Sequence, residues 1–480
     1  MVEALRQAGR RATAWVRADL TACRRHLSGA VELAPPGLYP YRYETPDSRL
    51  WLQLRVHADR SGLLFINGTQ TLHLAPTEAE LVKLTLDQTP RPAALAALQH
   101  AYPRVPREEL TAHLHRLAAL VARVQDPTGD RCVCDLLGPQ PAPFAVRATA
   151  PYKADLALDY ACNNRCAHCY NDPARRNLPA MPTAEWRRIL DKLRAIGVPY
   201  VIFTGGEPTL RADLPELVAH AHALGQITGL NTNGRLLRDP ARATALREAG
   251  LDHVQVTLNA PEPATHDRLS GACAWEETVA GLRAAHTAGL HVLTNTTLLR
   301  DNLSSALEMV EFLHALGVRT CAMNGLIHSG CGARHPGALT PEELAPRLVQ
   351  VRDRAAELGL RFLWYTPTPY CELSPLELGL GPRCCNAAEY SVCVEPDGSV
   401  LPCQSYYVAA GNLRTDPWER IWESDLFRSF RDRREQPQAA GLPERCWDCE
   451  DLMLCGGGCH LERERAAAPS GQENVAVCPR

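Results

Sequence analysis

The apolar and polar residues of this chain follow different periods in different segments. Between 50 and 75, apolar residues alternate with polar ones in WLQLRVH, GLLFIN and TLHL, which predicts three short strands. Thr77 and Glu80 then have the spacing of a capping box, and leucines and valines recur at helical spacing in EELTAHLHRLAALVARV. Three strands followed by three helices predict a winged-helix-like module over 41–124.

Further along, strand-like runs alternate with amphipathic segments of helix length. The runs are ADLALDY, PYVIFTG, GQITGLNT, DHVQVTLN, LHVLTNTTL and VRTCAMNGLI. Such alternation predicts βα units and an α/β fold, a partial (βα)6 TIM-like barrel with parallel strands over 150–335. In such barrels the working face lies at the carboxyl ends of the strands.

The other segments carry less pattern. Residues 1–40 predict an amphipathic helix followed by the turn-prone ELAPPGLYP, and the stretch 125–149, rich in Pro and Gly, predicts a linker. A bridging region over 336–380 contains a predicted helix near 341–358 and a predicted strand near 361–366. Residues 381–480 form a cysteine-dense tail.

Composition narrows the class of protein. Lys+Arg 51 against Asp+Glu 54 gives a net charge of -3, which offers no general field for nucleic acid or an anionic membrane. The first twenty residues contain no long apolar stretch, so neither a signal peptide nor a spanning helix is expected, and we predict a cytoplasmic protein. In a long chain of this kind, 19 cysteines indicate metal-binding thiolates rather than a disulfide scaffold.

The first cysteine group follows the first barrel strand. Cys162, Cys166 and Cys169 have the spacing CxxxCxxC. Three thiolates this close on one loop can hold three irons of a [4Fe-4S] cluster and leave the fourth iron without a protein ligand. A zinc knuckle is the alternative, and the next strand disfavours it because that strand ends in TGGEP, at 204–208.

CxxxCxxC followed one βα unit later by GGEP resembles the radical S-adenosylmethionine (SAM) superfamily. The resemblance implies that the open iron chelates SAM, whose reductive cleavage gives a 5'-deoxyadenosyl radical that abstracts hydrogen from the substrate. It also implies that the cofactor is bound by Gly205, Gly206, Glu207, Pro208, His168, Thr232, Asn233, Thr257 and Asn259. Thr257-Leu258-Asn259 and the stretch 266–271 depart from the common pattern, which leaves open the partner of the cofactor carboxylate, Arg268 included.

The cysteine-dense tail resembles the SPASM domain of radical enzymes, which holds two auxiliary [4Fe-4S] clusters and so implies three clusters in all. The resemblance assigns Cys446, Cys449, Cys455 and Cys478 to one auxiliary cluster, and Cys385, Cys403 and Cys459 to a nearer one. A zinc ribbon is the alternative. We expect little apolar core in this tail without metal, so that folding and cluster assembly are coupled.

The fourth ligand of the nearer auxiliary cluster stays open. The chain offers Cys384, Cys371 and Cys393. If none of them binds, the fourth iron is open and can take a substrate group such as a peptide thiolate.

Both ends of the chain point to a peptide substrate. SPASM relatives commonly act on peptides, and LLFINGTQTLHLAPTEAELVKLTLD resembles the peptide-recognition element of ribosomal-peptide (RiPP) maturases. Such a module binds a leader peptide as an extra strand at the sheet edge, against the third helix. The sequence is thus identified as a radical SAM/SPASM peptide maturase that forms a thioether or carbon-carbon cross-link. The expected partners are a precursor peptide or protein and an electron donor such as flavodoxin or ferredoxin.

Two other functions remain as alternatives at this point. One is oxidation of Ser or Cys to formylglycine, in the manner of sulfatase maturases, and the other is a noncatalytic iron-sulfur scaffold or redox regulator. No general base is assigned, because Glu389, Glu395 and Asp397 are equally consistent with surface and turn positions.

Overall fold

The computed structural model describes residues 33–45, 48–125 and 140–467. The chain divides into two compact units, Met1–Ala142 and Pro143–Arg480, with the boundary inside the segment predicted to be a linker. The predicted amphipathic helix falls mostly within 1–32, and Cys478 falls within 468–480, so both lie outside the described residues. None of the described helices is long and apolar enough to cross a membrane.

The first unit is an antiparallel sheet covered by three helices. Its strands, in spatial order, are β1 (Gly37–Thr45), β2 (Ser48–Val56), β3 (Gly62–Ile66) and β4 (Gln70–Leu74). Its helices are α1 (Pro76–Leu86), α2 (Arg91–Ala101) and α3 (Arg107–Gln125). The predicted apolar face of α3 is buried with the sheet in one core.

Two predictions for this unit were wrong. GLYP begins strand β1 rather than a turn. Pro40 is tolerated there because β1 is an edge strand, whose one partner among the described residues is β2. Thr77 and Glu80 form no capping box, since helix α1 begins one residue before Thr77; Glu78 Oε2 instead accepts a hydrogen bond from Ala75 N at 3.0 Å, and Ala75 has no side-chain acceptor to complete a box. Glu80 is buried instead, where it accepts hydrogen bonds from Tyr102 Oη at 2.8 Å and Arg60 Nε at 3.1 Å.

The second unit is built on one ten-stranded sheet, in which all six predicted barrel strands are present. They are β5 (Lys153–Ala157), β6 (Tyr200–Thr204), β7 (Ile227–Thr232), β8 (His253–Thr257), β9 (His291–Thr297) and β10 (Thr320–Asn324). Strand β11 (Arg361–Trp364) extends one edge, and β12 (Ser391–Val394), β13 (Ser399–Leu401) and β14 (Gly411–Asn412) extend the other. Pairing from β12 through to β11 is parallel throughout, as the βα alternation predicts.

The helices of this unit are α4 (Thr183–Ile196), α5 (Leu214–Ala223), α6 (Pro240–Glu248), α7 (Pro263–Ser270), α8 (Trp275–Thr287), α9 (Ala306–Ala315), α10 (Pro341–Glu357), α11 (Trp418–Trp422), α12 (Asp425–Arg431), α13 (Leu452–Cys455) and α14 (His460–Ala467). All of them except α7, α13 and α14 contribute residues to the hydrophobic core that they share with one face of the sheet. Residues such as Leu156, Phe203 and Val256 pack on the helix side. Because successive residues of a strand point to opposite faces, their neighbours face the concave side. Those neighbours are polar on several strands, namely Asp155, Asn231, Thr257, Asn295 and Asn324.

The first part of the tail belongs to the barrel core. Val392 and Val394 on β12, and Phe427 and Phe430 near α12, lie in the same hydrophobic cluster as the barrel strands. The expectation that the tail has little apolar core is therefore wrong for 391–430. Between 437 and 467, by contrast, the buried leucines among the described residues are Leu442 and Leu452.

Candidate active site

The first cysteine group lies on the loop after β5, at the carboxyl edge of the sheet. Burial raises the pKa of Cys166, and the neighbouring Cys169 and Cys162 thiols raise it further because they would repel a negative charge. Burial likewise raises the pKa of Cys162 to about 11, although Asn164 N donates a hydrogen bond to its Sγ at 3.4 Å. The three partly buried thiols thus converge, and a bound metal would be needed to hold them as thiolates.

Helix α7 supports this cysteine loop from behind. Arg165 N donates to Ser270 O and Ala167 N donates to Leu269 O, each at 3.0 Å, and a Cβ on Gly271 would overlap Arg165 O. The stretch 266–271 therefore positions the cysteine loop. Arg268, considered above for the cofactor carboxylate, is more than half exposed and lies 3.9 Å from Asp301.

The glycines of the TGGEP turn lie directly against the cysteine loop. Gly206 N donates to Asp159 O and Glu207 N donates to Ala161 O, both at 2.8 Å. A Cβ on Gly205 would overlap Asp159 O, and one on Gly206 would overlap Ala161 O. Only glycine fits at such an approach, and Gly205 also has a φ of +125°. Two adjoining main chains thus form a cradle without side chains at the edge of the sheet.

Glu207 is tied into the protein. Its Oε1 accepts hydrogen bonds from Thr209 N at 3.0 Å and Thr232 Oγ1 at 2.7 Å, and its Oε2 accepts from Asn233 N at 2.7 Å. Burial raises the pKa of Glu207, while these donors oppose that shift. Asn233 Nδ2 in turn donates to Asn163 Oδ1 at 2.6 Å. Of the residues expected to bind the cofactor, Glu207, Thr232 and Asn233 therefore join β6 and β7 to the cysteine loop, with Pro208 buried behind them.

Two other residues expected to bind the cofactor have buried polar atoms without a hydrogen-bond partner in the described part of the chain. His168 Nδ1 and Asn259 Oδ1 are buried without a hydrogen-bond partner among the described residues. Burial lowers the pKa of His168 to about 4, so its imidazole is neutral near pH 7. Thr257 lies on the concave face at the end of β8. Unpaired buried polar atoms beside a glycine cradle and three thiols fit a bound polar cofactor.

The nearer tail cysteines also converge. Burial raises the pKa of Cys403 to about 12, with the Cys385 thiol as the next cause. Burial raises the pKa of Cys459 as well, and the thiols of Cys385 and Cys403 add to that shift. Cys385, Cys403 and Cys459 therefore lie near one another, although they are far apart in the sequence.

Two of the three candidates for the fourth ligand lie near this group: after burial, the charge of Cys385 is among the causes that raise the pKa of Cys384, and that of Cys403 among those that raise the pKa of Cys393. Cys384 Sγ accepts a hydrogen bond from Arg434 Nη2 at 3.2 Å. Cys393 is fully buried on β12 and packs in a small core with Ala157, Tyr160 and Leu401.

The third candidate, Cys371, lies with the farther group. The pKa of Cys446 is raised by burial and then by Cys455, with Cys371 and Cys449 as further causes. Tyr370 N donates to Cys455 Sγ at 3.3 Å, which fixes the segment beside Cys371 against this group. Within 33–45, 48–125 and 140–467, no three His, Cys, Asp or Glu side chains are placed to hold one single metal ion.

The three acidic residues considered as bases are used structurally. Glu389 is buried between Arg433 and Arg434, 2.8 Å from each guanidinium. Glu395 accepts from Tyr160 Oη at 2.8 Å and Arg175 Nε at 2.9 Å. Asp397 closes a turn by accepting from Ser399 N at 2.9 Å.

Sequence reasoning missed the polar residues of the concave face. The residues are Asp155, Asn231, Asn295 and Asn324. Each lies on the face of its strand opposite the side that packs against the helices. The inner residues of a packed TIM barrel are bulky and branched, so a polar set predicts a lined cavity. The signal was present in VQVTLN, where polar residues alternate with apolar ones, and in VLTNTT, where four polar residues end a strand of a parallel sheet.

Comparison with known proteins gives the class of this protein. A family model described as the radical SAM superfamily matches residues 159–313, and one described as an iron-sulfur cluster-binding domain, SPASM, matches residues 384–450. The chain belongs to the radical SAM superfamily and is an enzyme of its SPASM-bearing branch. SAM and iron-sulfur clusters are accordingly its cofactors.

Individual proteins similar to this chain include two peptide cyclases and one enzyme of known structure. The chain is 32% identical to the PqqA peptide cyclase of Xanthomonas campestris pv. campestris over 328 residues, 65% of this chain and 82% of the relative. It is 31% identical to the PqqA peptide cyclase of Gluconobacter oxydans over 315 residues, 64% of this chain and 84% of the relative. Streptococcus suis SuiB shares the fold, with a TM-score of 0.62 at 15% identity over 86% of this chain and 95% of that one.

Proposed function

We propose that this enzyme is a peptide maturase that forms a carbon-carbon cross-link within a precursor peptide, with a thioether as the other possible bond. The observation that carries the proposal is the identity of 32% over 82% of a relative named PqqA peptide cyclase. The polar concave face supports it, because a side chain or backbone of a peptide can be hydrogen-bonded there beside the cofactor cradle.

The proposal places three [4Fe-4S] clusters on the cysteine groups. Cys162, Cys166 and Cys169 would hold the cluster that binds SAM. When bound, the cluster and SAM together supply hydrogen abstraction from an unactivated C-H bond. The auxiliary ligands would be Cys385, Cys403, Cys459, Cys446, Cys449, Cys455 and Cys478. The fourth ligand of the nearer cluster stays open between Cys384 and Cys393, since both thiols lie within electrostatic reach of this group.

The chain's own residues do the positioning. Gly205 and Gly206 let the main chain of the turn pack directly against the cysteine loop, and the methionyl end of the cofactor would bind at this edge. Neutral His168 and the unpaired Asn259 Oδ1 can hydrogen-bond its polar groups without adding charge. Glu207 acts through Thr232 and Asn233, holding two strand ends in place.

The first unit would bind the leader part of the peptide by strand addition. Residues 143–480 make up about 70% of the chain, so the likeness to SuiB over 86% also takes in part of residues 1–142. A structure of SuiB bound to its precursor peptide SuiA has a similar TM-score of 0.61, at 17% identity over 88% of this chain and 96% of that one. At β4, Gln140 Oε1 accepts from His73 N at 2.9 Å and its Nε2 donates to His73 O at 3.2 Å, one rung of the ladder that an added strand would make.

The clusters need an external source of electrons. A small redox protein such as flavodoxin or ferredoxin would reduce the clusters, and we place the enzyme in the cytoplasm, where thiolates stay reduced.

The test is anaerobic incubation of reconstituted enzyme with reductant, SAM and the precursor peptides encoded beside its gene. We expect 5'-deoxyadenosine and a peptide lighter by two hydrogen atoms, with no fragment ions between the joined residues in tandem mass spectrometry. A product that reacts with a hydrazide would identify formylglycine instead. Absence of 5'-deoxyadenosine would identify a scaffold or regulator.

A further inference from the structure

A chain of side-chain amides crosses the concave face from β10 to β9. Asn295 Nδ2 donates to Asn324 Oδ1 at 2.9 Å. Asn324 Nδ2 donates to Gly325 O at 2.6 Å and lies 3.3 Å from Thr297 Oγ1. None of these residues belongs to the cysteine or glycine motifs described above.

The orientation of both amides is fixed by a backbone carbonyl. Gly325 O can only accept a hydrogen bond, so the NH2 group of Asn324 must face it. Asn324 Oδ1 therefore faces Asn295 and accepts a hydrogen bond from Asn295 Nδ2. Asn295 Oδ1 is what remains, an acceptor whose direction the network sets.

That acceptor is buried and has no hydrogen-bond partner among the described residues. Buried acceptors without a donor cost free energy, and in native proteins they are found where a ligand or an ordered water supplies the donor. Asn295 is opposite Thr257 in the β8-β9 register, and Leu258 N donates to its carbonyl at 3.1 Å. Asn295 Oδ1 is thus next to the strand end that carries Thr257 and Asn259.

We propose that Asn295 is a ligand-binding residue whose Oδ1 accepts a hydrogen bond from a hydroxyl or N-H group bound against the concave face. The donor belongs to SAM or to the peptide, and a carbonyl or carboxylate at this point would be rejected because two acceptors would meet. The inference uses the proposed peptide substrate only for the second source and does not depend on which bond the enzyme forms.

The test measures equilibrium binding on anaerobically reconstituted full-length enzyme, without reductant and therefore without turnover. Asn295→Leu removes the acceptor at similar size, and Asn295→Ala leaves room for water. Thr294→Val is the matched control, since Thr294 is the adjacent residue on the opposite face and its Oγ1 is also buried without a partner among the described residues. The probes are SAM alone, and a labelled precursor peptide in the presence of S-adenosylhomocysteine.

We expect Asn295→Leu to weaken one of the two affinities by about tenfold, the effect of one buried hydrogen bond, while Thr294→Val leaves both unchanged. Loss in the SAM arm places the donor on the cofactor, and loss in the peptide arm alone places it on the peptide. Unchanged affinities in both arms would overturn the proposal. If Asn295→Leu loses iron or helical circular dichroism, Asn295→Ala decides by the same criteria, and a failed peptide reaction would leave the SAM arm fully interpretable.

Discussion

At the scale of residues, two features mark the site: a glycine with no space for a side chain, and buried polar atoms without a hydrogen-bond partner in the described part of the chain. Gly205 has no room for a side chain, and His168, Asn259 and Asn295 each keep a buried polar atom unpaired among the described residues. Both features cost stability in the protein alone. They favour a bound state in which a ligand fills the cradle and supplies the missing hydrogen bonds.

Gly205→Ala is expected to abolish SAM binding and to lower the free energy of unfolding by more than its backbone strain alone. A Cβ there overlaps Asp159 O at a φ of +125°. Gly289→Ala is the control, because Gly289 has a φ of +77° and open space around it, and should cost only about 1–2 kcal/mol. Equal losses of stability with retained SAM binding in both variants would contradict the role given to Gly205. Anaerobic urea unfolding and equilibrium dialysis provide the two measurements.

His253 should make the stability of the protein dependent on pH. Burial lowers the pKa of His253 to about 3, helped by the charges of His291 and Lys153, and its Nε2 lies 2.7 Å from Tyr200 Oη. The imidazole is neutral in the folded state, whereas in the unfolded chain it takes up a proton near pH 6.5. Its contribution to stability is therefore complete above about pH 6.5 and is lost as the pH falls toward 3.

His253→Gln should remove this dependence. Between pH 6.5 and 5.5 the free energy of unfolding of the wild type should fall by up to about 1.4 kcal/mol more than that of the variant, the value for one proton per pH unit. Chemical unfolding at several pH values measures both curves. Parallel curves would show that His253 does not carry the effect.

At the scale of elements, the tail is joined to the barrel in two different ways. Strand β12 pairs with β5 and places Val392 and Val394 in the barrel core. The second connection is a buried ionic group in which Glu389 pairs with Arg433 and Arg434. Arg433 Nη2 also donates to Cys385 O at 2.6 Å, so this group positions the nearer cysteine loop as well.

Glu389→Gln should destabilise the protein by about 3–5 kcal/mol, because it leaves two buried guanidinium groups without a counter-charge. Asp425→Asn is the control from the same tail, since its pair with Arg428 is exposed and its loss should change stability far less. Chemical unfolding of both variants gives the comparison. Similar small losses would mean that the buried group is not required to hold the tail.

At the scale of the whole molecule, each of the two units has a hydrophobic core of its own. The cysteine groups, the glycine cradle and the polar concave face all lie in Pro143–Arg480. The antiparallel sheet proposed for leader binding lies in Met1–Ala142. Cofactor chemistry and peptide recognition should therefore be separable.

A chain of residues 143–480 should fold, bind SAM and form 5'-deoxyadenosine when reduced, yet modify a leader-bearing precursor peptide far more slowly than the full chain. Chromatography of 5'-deoxyadenosine and mass spectrometry of the peptide measure the two activities side by side. Adding residues 1–142 as a separate protein controls for lost recognition. Modification at the full rate without the first unit would refute its role in leader binding.

The sequence by itself determined the class, the barrel strands and the main cysteine groups. These features are local in the chain, since CxxxCxxC and TGGEP each follow a strand whose period can be read directly, and parallel strands bring their ends to one edge. It also located the apolar face of α3, because helical period depends only on neighbouring residues.

Tertiary structure alone decided which atoms are already partnered. Pairing between distant segments leaves no local pattern, so the sequence could not tell that Glu207 joins two strands, that Arg268 lies at the surface, or that Cys371 lies with the farther cysteines. For the same reason Asn295 looked like any polar strand residue. Its role depends on a carbonyl of the next strand's loop, which orients two amides and leaves one oxygen for a ligand.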